Sequence, residues 1–445
     1  MSSLYLEQRP SPMSTEPFAV VRLPNDEIAR QICERSVLIR YMVDLWGMGV
    51  SNDDVIADVK SSISRKLWDC HFTDKPFSYK VIGYGTQYTD MQRKERMKSF
   101  VPLFFGHEKV NLKSAVTNLI IIDQFDAVNL YPTGTRDEKN PLQPKLNMTF
   151  YGRIVWSSPA TPFRTKYVLT ERPVLGPTSL DNDLAFMMAN IAQVSPGKTV
   201  YDSFCGTGGL MIASSALGGI CFGSDIDVRV LRGEFVSYIH KQVSENQTRD
   251  IFTNFKYYGL PLPEVMAMDN SHTSFRNNRE SLFDVILTDP PYGVRAGAKK
   301  IGQKSAHDVV DRDSYYPQML GYLPDEVNND LLSLSSQLLQ SNGLLVFLLH
   351  IELIDLFSPE ELAMLREQSP NRGAGATRVL VHKFSGAEYV YANEGARDKQ
   401  FLDEKSIRER VIPRHVDFDF VGCALQILAA GTGRVIVKLR RKHRC

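Results

Sequence analysis

The stretch that decides the fold is Phe283-Asp284-Val285-Ile286-Leu287-Thr288 running into Asp289-Pro290-Pro291-Tyr292-Gly293. An apolar run of that composition reads as a buried parallel strand, and the two prolines stop it because neither can donate a ladder hydrogen bond. The stop leaves a carboxylate, a backbone carbonyl and an aromatic face at the carboxyl edge of a sheet, where open α/β folds bind their ligands. Asp289 and the Pro290 carbonyl suit the two N–H groups of an exocyclic base amine, and Tyr292 suits stacking on the ring. The bland alternative is a strand-to-loop turn with a surface tyrosine.

Working outward, strand alternates with helix on both sides. Asp181 is placed to cap a helix from Leu184 to Val194, which Pro196-Gly197 closes. Strand Thr199 to Asp202, loop Ser203 to Gly209, helix Leu210 to Leu217 and strand Ile220 to Ser224 follow. A long helical stretch then runs to Tyr258, before a strand from Glu264 to Met268. Downstream, a helix from Pro324 to Leu339 feeds the apolar strand Gly343 to His350, and Phe418 to Leu428 with Arg434 to Leu439 reads as a terminal β-hairpin. This order means an α/β, parallel, doubly wound sheet. The polar segment from Ser358 to Pro413 reads as an insertion.

Acids end three of these strands. Asp202 precedes Phe204-Cys205-Gly206-Thr207-Gly208-Gly209, where glycines let the backbone approach a ligand at a strand-to-helix turn. The spacing is shorter than that of a phosphate-binding GxGxxG, and the preceding acid suits an ammonium group. Asp225, about twenty residues on, can take both hydroxyls of a ribose. Asp269 can accept from an adenine N6 amine. With Phe204, Gly206 and Gly208 these acids describe an adenosine carrying an amino-acid tail, so the expected cofactor is S-adenosylmethionine. The expected chemistry is in-line methyl transfer to a base nitrogen turned out of its helix. Asp227 reads as a helix cap, and Cys205 as a loop filler because no histidine sits beside it. The six cysteines form no CxxC pair and none has a histidine at zinc-ligand spacing, so a reducing compartment and no metal are expected.

Residues 1–160 read as α+β, with a strand from Phe18 to Leu23, helices Asp26 to Ser36 and Asn52 to Trp68, and strands Phe77 to Tyr84, Leu119 to Phe125 and Asn147 to Val155. The basic helix from Gln92 to Phe100 offers Arg93, Lys94, Arg96 and Lys98 as an RNA-facing patch, a solvated face being the alternative. The chain has 445 residues, of which 43% are apolar, enough for two or three cores. Its formal charge is only +1, so a nucleic acid must be held by local patches or with a partner's help. Met1 to Pro17 lacks the order of a signal peptide and no run approaches the length of a membrane helix, so the protein is expected to be soluble and cytoplasmic.

From about Pro17 to Asp355 the chain resembles a known family, the catalytic subunits of the tRNA guanosine N2-methyltransferases acting at position ten. The resemblance rests on the proline loop continuing through Val294-Arg295-Ala296-Gly297-Ala298-Lys299-Lys300, on Gly176-Pro177-Thr178-Ser179 with Ala189-Asn190, and on Arg35-Ser36 with Leu45-Trp46-Gly47. It implies a Rossmann-like class I methyltransferase domain over 181–445, inserted at about 358–413, after a THUMP-containing tRNA-binding region over 1–160 and a linker over 161–180. It implies catalytic roles for Asp289, Pro290 and Tyr292, a place for Thr178 in the cofactor site, and RNA contacts from Arg295, Lys299 and Lys300. A small zinc-binding activator subunit, adding a strand to the methyltransferase sheet to form a heterodimer, is implied as well. The chain departs from the family at Ser203 and Cys205, where proline and valine are expected, and at Gly209, where serine is usual. The proline loop alone also suits adenine N6-methyltransferases, and a non-catalytic tRNA-binding scaffold is the alternative outside enzymes.

Overall fold

The computed structural model describes residues 18–443 except 107, 126–144, 159–161, 177–178, 234–237, 240–249, 277–280, 292–298, 302–318, 357–379, 385–386, 392–399, 402–403 and 429–431. Two large sheets organise these residues. The first has the order β1 (Tyr41–Gly49), β4 (Leu146–Ser157), β3 (Thr117–Phe125), β2 (Phe77–Tyr84), with β2 and β3 parallel and the other pairs antiparallel. Val55 and Val59 of α2 (Asn52–Ser62) and Trp68 and Phe72 of α3 (Arg65–Phe72) share a buried cluster with Trp46, Leu119, Ile121 and Tyr151. Helix α2 lies so close over β1 that a Cβ on Gly47 would come within 2.6 Å of Val59 Cγ2. The single helix expected from Asn52 to Trp68 is therefore two: Ile63 turns extended and the Ser64 hydroxyl accepts the Leu67 N–H to start α3. Phe18 to Leu23 forms no strand, and Phe18 packs its ring on Tyr84 and Phe150 instead.

The second sheet has seven strands in the order β10 (Phe418–Ile427), β11 (Thr432–Arg441), β9 (Leu339–Glu352), β8 (Phe283–Thr288), β5 (Thr199–Asp202), β6 (Ile220–Asp225), β7 (Glu264–Ala267). Strands β9 to β7 run parallel, and the terminal hairpin adds to β9 antiparallel. Alternate residues of β8 and β9 serve opposite faces. Val285, Leu287, Val346 and Leu348 pack with Phe186, Met188 and Ala189 of α5 (Asn182–Ile191) and with α6 (Gly209–Ala216) and α7 (Ile251–Tyr258). Ile286, Leu345 and Phe347 pack with Leu331, Leu334 and Leu338 of α8 (Pro324–Leu338) and with the hairpin. Burial on both faces is why β8 is apolar without alternation. The strand order reverses between β5 and β8, so their carboxyl ends flank the crevice where such folds bind ligands.

The long helical stretch expected before Tyr258 is broken. Gly233, at φ 73°, closes a short helix, Val228–Arg232, after which Tyr238–Ile239 pairs with Val174–Leu175, and Asp250 caps α7 anew. The segment read as an insertion contains a small sheet, Leu380–Phe384, Ala387–Tyr391 and Gln400–Phe401, and ends in a helix, Glu404–Arg410, whose Ile407 joins the main core. Between the two sheets, α1 (Asp26–Arg35) is tied to α5: Arg35 Nε donates to Asn190 Oδ1 at 2.6 Å and Asn190 Nδ2 donates to the Arg35 carbonyl at 3.0 Å. No helix among the described residues is long and apolar enough to cross a membrane.

The basic helix, α4 (Asp90–Lys98), divides its charges. Arg93, Lys94 and Lys98 are exposed, Arg93 in a surface pair with Asp90. Arg96 turns inward, which removes it from the expected RNA patch: its Nε and Nη2 each lie 2.7 Å from Asp123, whose side chain is fully buried and also accepts from Thr149 and Tyr88. Arg96→Ala strands that acid, and chemical denaturation is expected to register a loss of about 3–5 kcal/mol. Lys94→Ala is expected to stay within about 0.5 kcal/mol.

Candidate active site

The crevice is built from strand ends that are tied to one another. Thr288, the last residue of β8, donates its hydroxyl to Asp202 Oδ1 at 2.7 Å across to β5. The same oxygen accepts the Phe204 N–H at 3.1 Å, so both bonds among the described residues fall on Oδ1 and leave Oδ2 for a ligand. Burial pushes the Asp202 carboxyl up to about 7; the bonds from Thr288 and Phe204 pull it back, and the charges of Asp289 and Asp225 add to the rise. Asn270 donates to the Ser203 carbonyl at 2.7 Å and the Cys205 N–H to the Ser224 carbonyl at 2.9 Å, so the glycine loop is held by the segment after β7 and by β6.

Asp225, at the tip of β6, accepts the Gly206 N–H on one oxygen and the Asp227 N–H on the other, each at 2.9 Å. With these bonds spread one to each oxygen, the carboxylate keeps acceptor capacity on both sides, the arrangement that two ribose hydroxyls need. Burial raises the Asp225 carboxyl, and the bonds from Asp227 and Gly206 oppose it. Asp227 caps the next helix, as expected.

Asp269 is more heavily used. Its Oδ1 accepts from the Ser271 N–H and hydroxyl and its Oδ2 from Ile301 N–H at 2.7 Å, with His272 Nδ1 3.6 Å from Oδ2, so at most one acceptor position remains, on Oδ2, for an adenine amine. Beside it Asn270 Oδ1 is buried without a partner among the described residues.

The loop residues separate by role. Gly206 has φ 48° and a Cβ there would meet no atom of the described residues within 4 Å, so among these residues the space beside it is open to a ligand. Gly208, at φ 84°, has a packing reason, because a Cβ would stand 3.2 Å from Ile251 and Phe255 of α7. The Phe204 ring packs on the Tyr322 and Val327 pair, so it walls the site. Cys205 is 4% exposed, and burial with the charges of Asp202 and Asp225 raises its thiol, the reverse of a nucleophile.

Asp289 and Pro290 follow directly on β8, Pro290 buried and the Asp289 side chain 20% exposed, with His350 Nε2 of β9 at 3.4 Å from Asp289 Oδ1. Tyr292, Arg295 and Thr178 lie outside the described residues, as does the Lys299 side chain. Lys300, expected as an RNA contact, has its Nζ 2.9 Å from Glu326 and 5.4 Å from the centre of the Tyr322 ring.

Comparison with known proteins agrees with this architecture. Residues 11–158 match the model of the Tmrp11 THUMP N-terminal domain and residues 170–310 that of the RMKL-like methyltransferase domain. The tRNA (guanine(10)-N(2))-methyltransferase of Saccharomyces cerevisiae is 30% identical over 352 residues, covering 75% of each chain. The chain belongs to this family. The Homo sapiens member is 28% identical over 345 residues, covering 75% of this chain and 71% of its own. The crystal structure of TrmN from Thermus thermophilus aligns with 95% of this chain and 89% of its own at 15% identity, with a TM-score of 0.39.

The set of acceptors fits the family's cofactor. An open flank at Gly206, a free carboxylate oxygen on Asp202, two half-used oxygens on Asp225 and an orphaned amide oxygen on Asn270 answer an ammonium, a ribose and a base amine in turn. Sequence reading missed Thr288, Asn270 and His350. Thr288 and Asn270 each adjoin a noted acid, and a polar side chain closing an apolar run was the available signal; nothing local marks His350 as facing Asp289.

The raised Asp202 carboxyl fixes a sign. An acid whose folded value lies above its unfolded one contributes stability at low pH that is lost as pH rises through about 7. The ligand-free protein is therefore expected to lose this contribution between about pH 4 and 7. Asp202→Asn flattens that part of the thermal-denaturation profile and weakens cofactor binding; an unchanged slope contradicts the assignment.

Proposed function

We propose that the crevice transfers a methyl group from S-adenosylmethionine to the exocyclic N2 of guanosine at position ten of tRNA, with Asp289 as the acceptor-orienting carboxylate. The observation that carries the reading is the placement of Asp289 and Pro290 at the end of β8, beside the Asp202 and Asp225 cradle across the point where strand order reverses. S-adenosylmethionine supplies an electrophilic methyl on a sulfonium. Asp202 holds its ammonium, Asp225 its ribose, and Asp269 with Asn270 its adenine amine.

At the acceptor, Asp289 and the Pro290 carbonyl take the two N–H bonds of the guanine amine and hold its lone pair toward the methyl. The nitrogen would gain its bond to the methyl carbon as the sulfur–methyl bond breaks and the sulfonium leaves as a neutral thioether, and it sheds one proton, for which the Asp289 carboxylate is the acceptor at hand. Tyr292 stacks on the turned-out base, a contact worth roughly 1–3 kcal/mol. Fixing the two reactants in line supplies most of the acceleration, as well-oriented groups reach effective molarities on the order of 10⁵ M.

Residues 1–160 are assigned to tRNA binding, with Arg93, Lys94 and Lys98 as phosphate contacts, and 181–445 to transfer. A small zinc-binding activator subunit is the further partner this reading adds, on the family resemblance. An edge for strand addition is offered by β7, which has one strand neighbour among the described residues and lies beside the exposed Leu262. A cytoplasmic location is part of this proposal.

Asp289→Ala is expected to lower methyl transfer to tRNA on the order of a hundred- to a thousandfold while tRNA affinity holds. Loss of both together would make the loop structural and remove the reading. Replacing Lys94 and Lys98 with alanine is expected instead to weaken tRNA binding and to reduce its salt slope by roughly one unit per lysine.

A further inference from the structure

We infer that His350 is a positioning residue for this reaction, bracing the Asp289 carboxylate from the neighbouring strand so that its second oxygen meets the acceptor amine; the inference rests on the reading of the site given above. The argument starts from how the other strand-end acids are held. Asp202 accepts the N–H of Phe204, Asp225 that of Asp227 and Asp269 that of Ser271, in each case the residue two places on. This local bond restrains the carboxylate's rotation from its own chain segment, beside the longer-range bonds from Thr288, Gly206 and Ile301. At Asp289 the residue two places on is Pro291, and the one between is Pro290. Neither has an N–H. The feature that stops β8 and frees the Pro290 carbonyl thus denies Asp289 the brace its three counterparts have.

His350 supplies a donor in its place. From Gly343 to Ile351 it is the one polar side chain in a run that is otherwise glycine and apolar. Register places it: Thr288 pairs with Phe347, β8 ends there, and β9 continues to Glu352. Asp289 and His350 are two residues beyond Leu287 and Leu348, which line one face of the sheet. The imidazole Nε2 lies 3.4 Å from Asp289 Oδ1, with only 14% of the histidine and 20% of the aspartate side chain exposed. That length is at the limit of a hydrogen bond, and catalytic contacts of this kind tighten when substrate fills the site. An Nε2–H donated to Oδ1 sets the plane of the carboxylate and leaves Oδ2 for the amine. A core histidine satisfied by any carbonyl would give the same burial; what separates the two is the partner, the carboxylate assigned to the acceptor.

The test compares His350→Leu, which keeps bulk and loses the donor, with His350→Gln, whose amide nitrogen stands near the position of Nε2. In the chain together with the proposed activator subunit, single-turnover transfer is expected to fall about ten- to a hundredfold in the leucine variant and to stay within about threefold of wild type in the glutamine variant. Affinity for S-adenosylhomocysteine, affinity for tRNA and melting temperature are expected to hold in both. A leucine variant as fast as wild type, or a glutamine variant as slow as leucine, overturns the brace; so does a loss that appears in binding or stability. A second arm needs no turnover: the His350 ring-nitrogen signals, followed by NMR, are expected to shift in Asp289→Asn, and unmoved signals overturn the contact. Should wild type make no N2-methylguanosine, the reading of the site fails while this arm still decides whether the brace exists.

Discussion

The bond from the Thr288 hydroxyl to the buried Asp202 carboxylate joins the two strands on either side of the point where strand order reverses, and the site is built out from it. Parallel strands that end level open a crevice between the segments that follow them, and this bond keeps the ends level. On one side the chain enters the glycine loop, on the other the proline loop. The cofactor cradle and the acceptor loop are therefore referred to one pair of atoms.

The charges in the crevice follow from the same placement. Asp202, Asp225 and Asp289 converge where burial already disfavours ionisation of Asp202, and the other two charges add to that cost. A ligand that brings an ammonium and a sulfonium relieves the repulsion, so the ligand-free site is held in tension that its proposed ligand removes. Local N–H bonds steady three of the four strand-end acids, and the proline loop leaves the fourth to a neighbouring strand. A rigid stop and a braced carboxylate are in this sense one design problem: the prolines that sharpen the turn also remove its donors.

Much of this was legible in the sequence. The run from Phe283 to Thr288 has no alternation because both faces are covered, the prolines end it at the expected residue, and the acids after β5, β6 and β7 mark the carboxyl edge. What escaped reading depended on distant partners. Ile63 continues the spacing of α2, and only a serine cap with its own first turn shows that a new helix has begun. Arg96 has the sequence context of a solvated arginine, and its inward turn depends on Asp123, a strand away. Gly233 interrupts a pattern whose apolar spacing looks continuous. His350 looks like the polar end of a buried strand until the parallel register sets it beside Asp289.

The most direct test of the central claim changes one acceptor atom. Two transcripts of the same tRNA, one with guanosine and one with inosine at position ten, differ there by the 2-amino group alone. Given labelled S-adenosylmethionine and the chain together with the proposed activator subunit, the guanosine transcript is expected to take up label as N2-methylguanosine while the inosine transcript binds equally well and takes up none. Label on the inosine transcript, or label recovered as methyladenosine from either, would contradict the account.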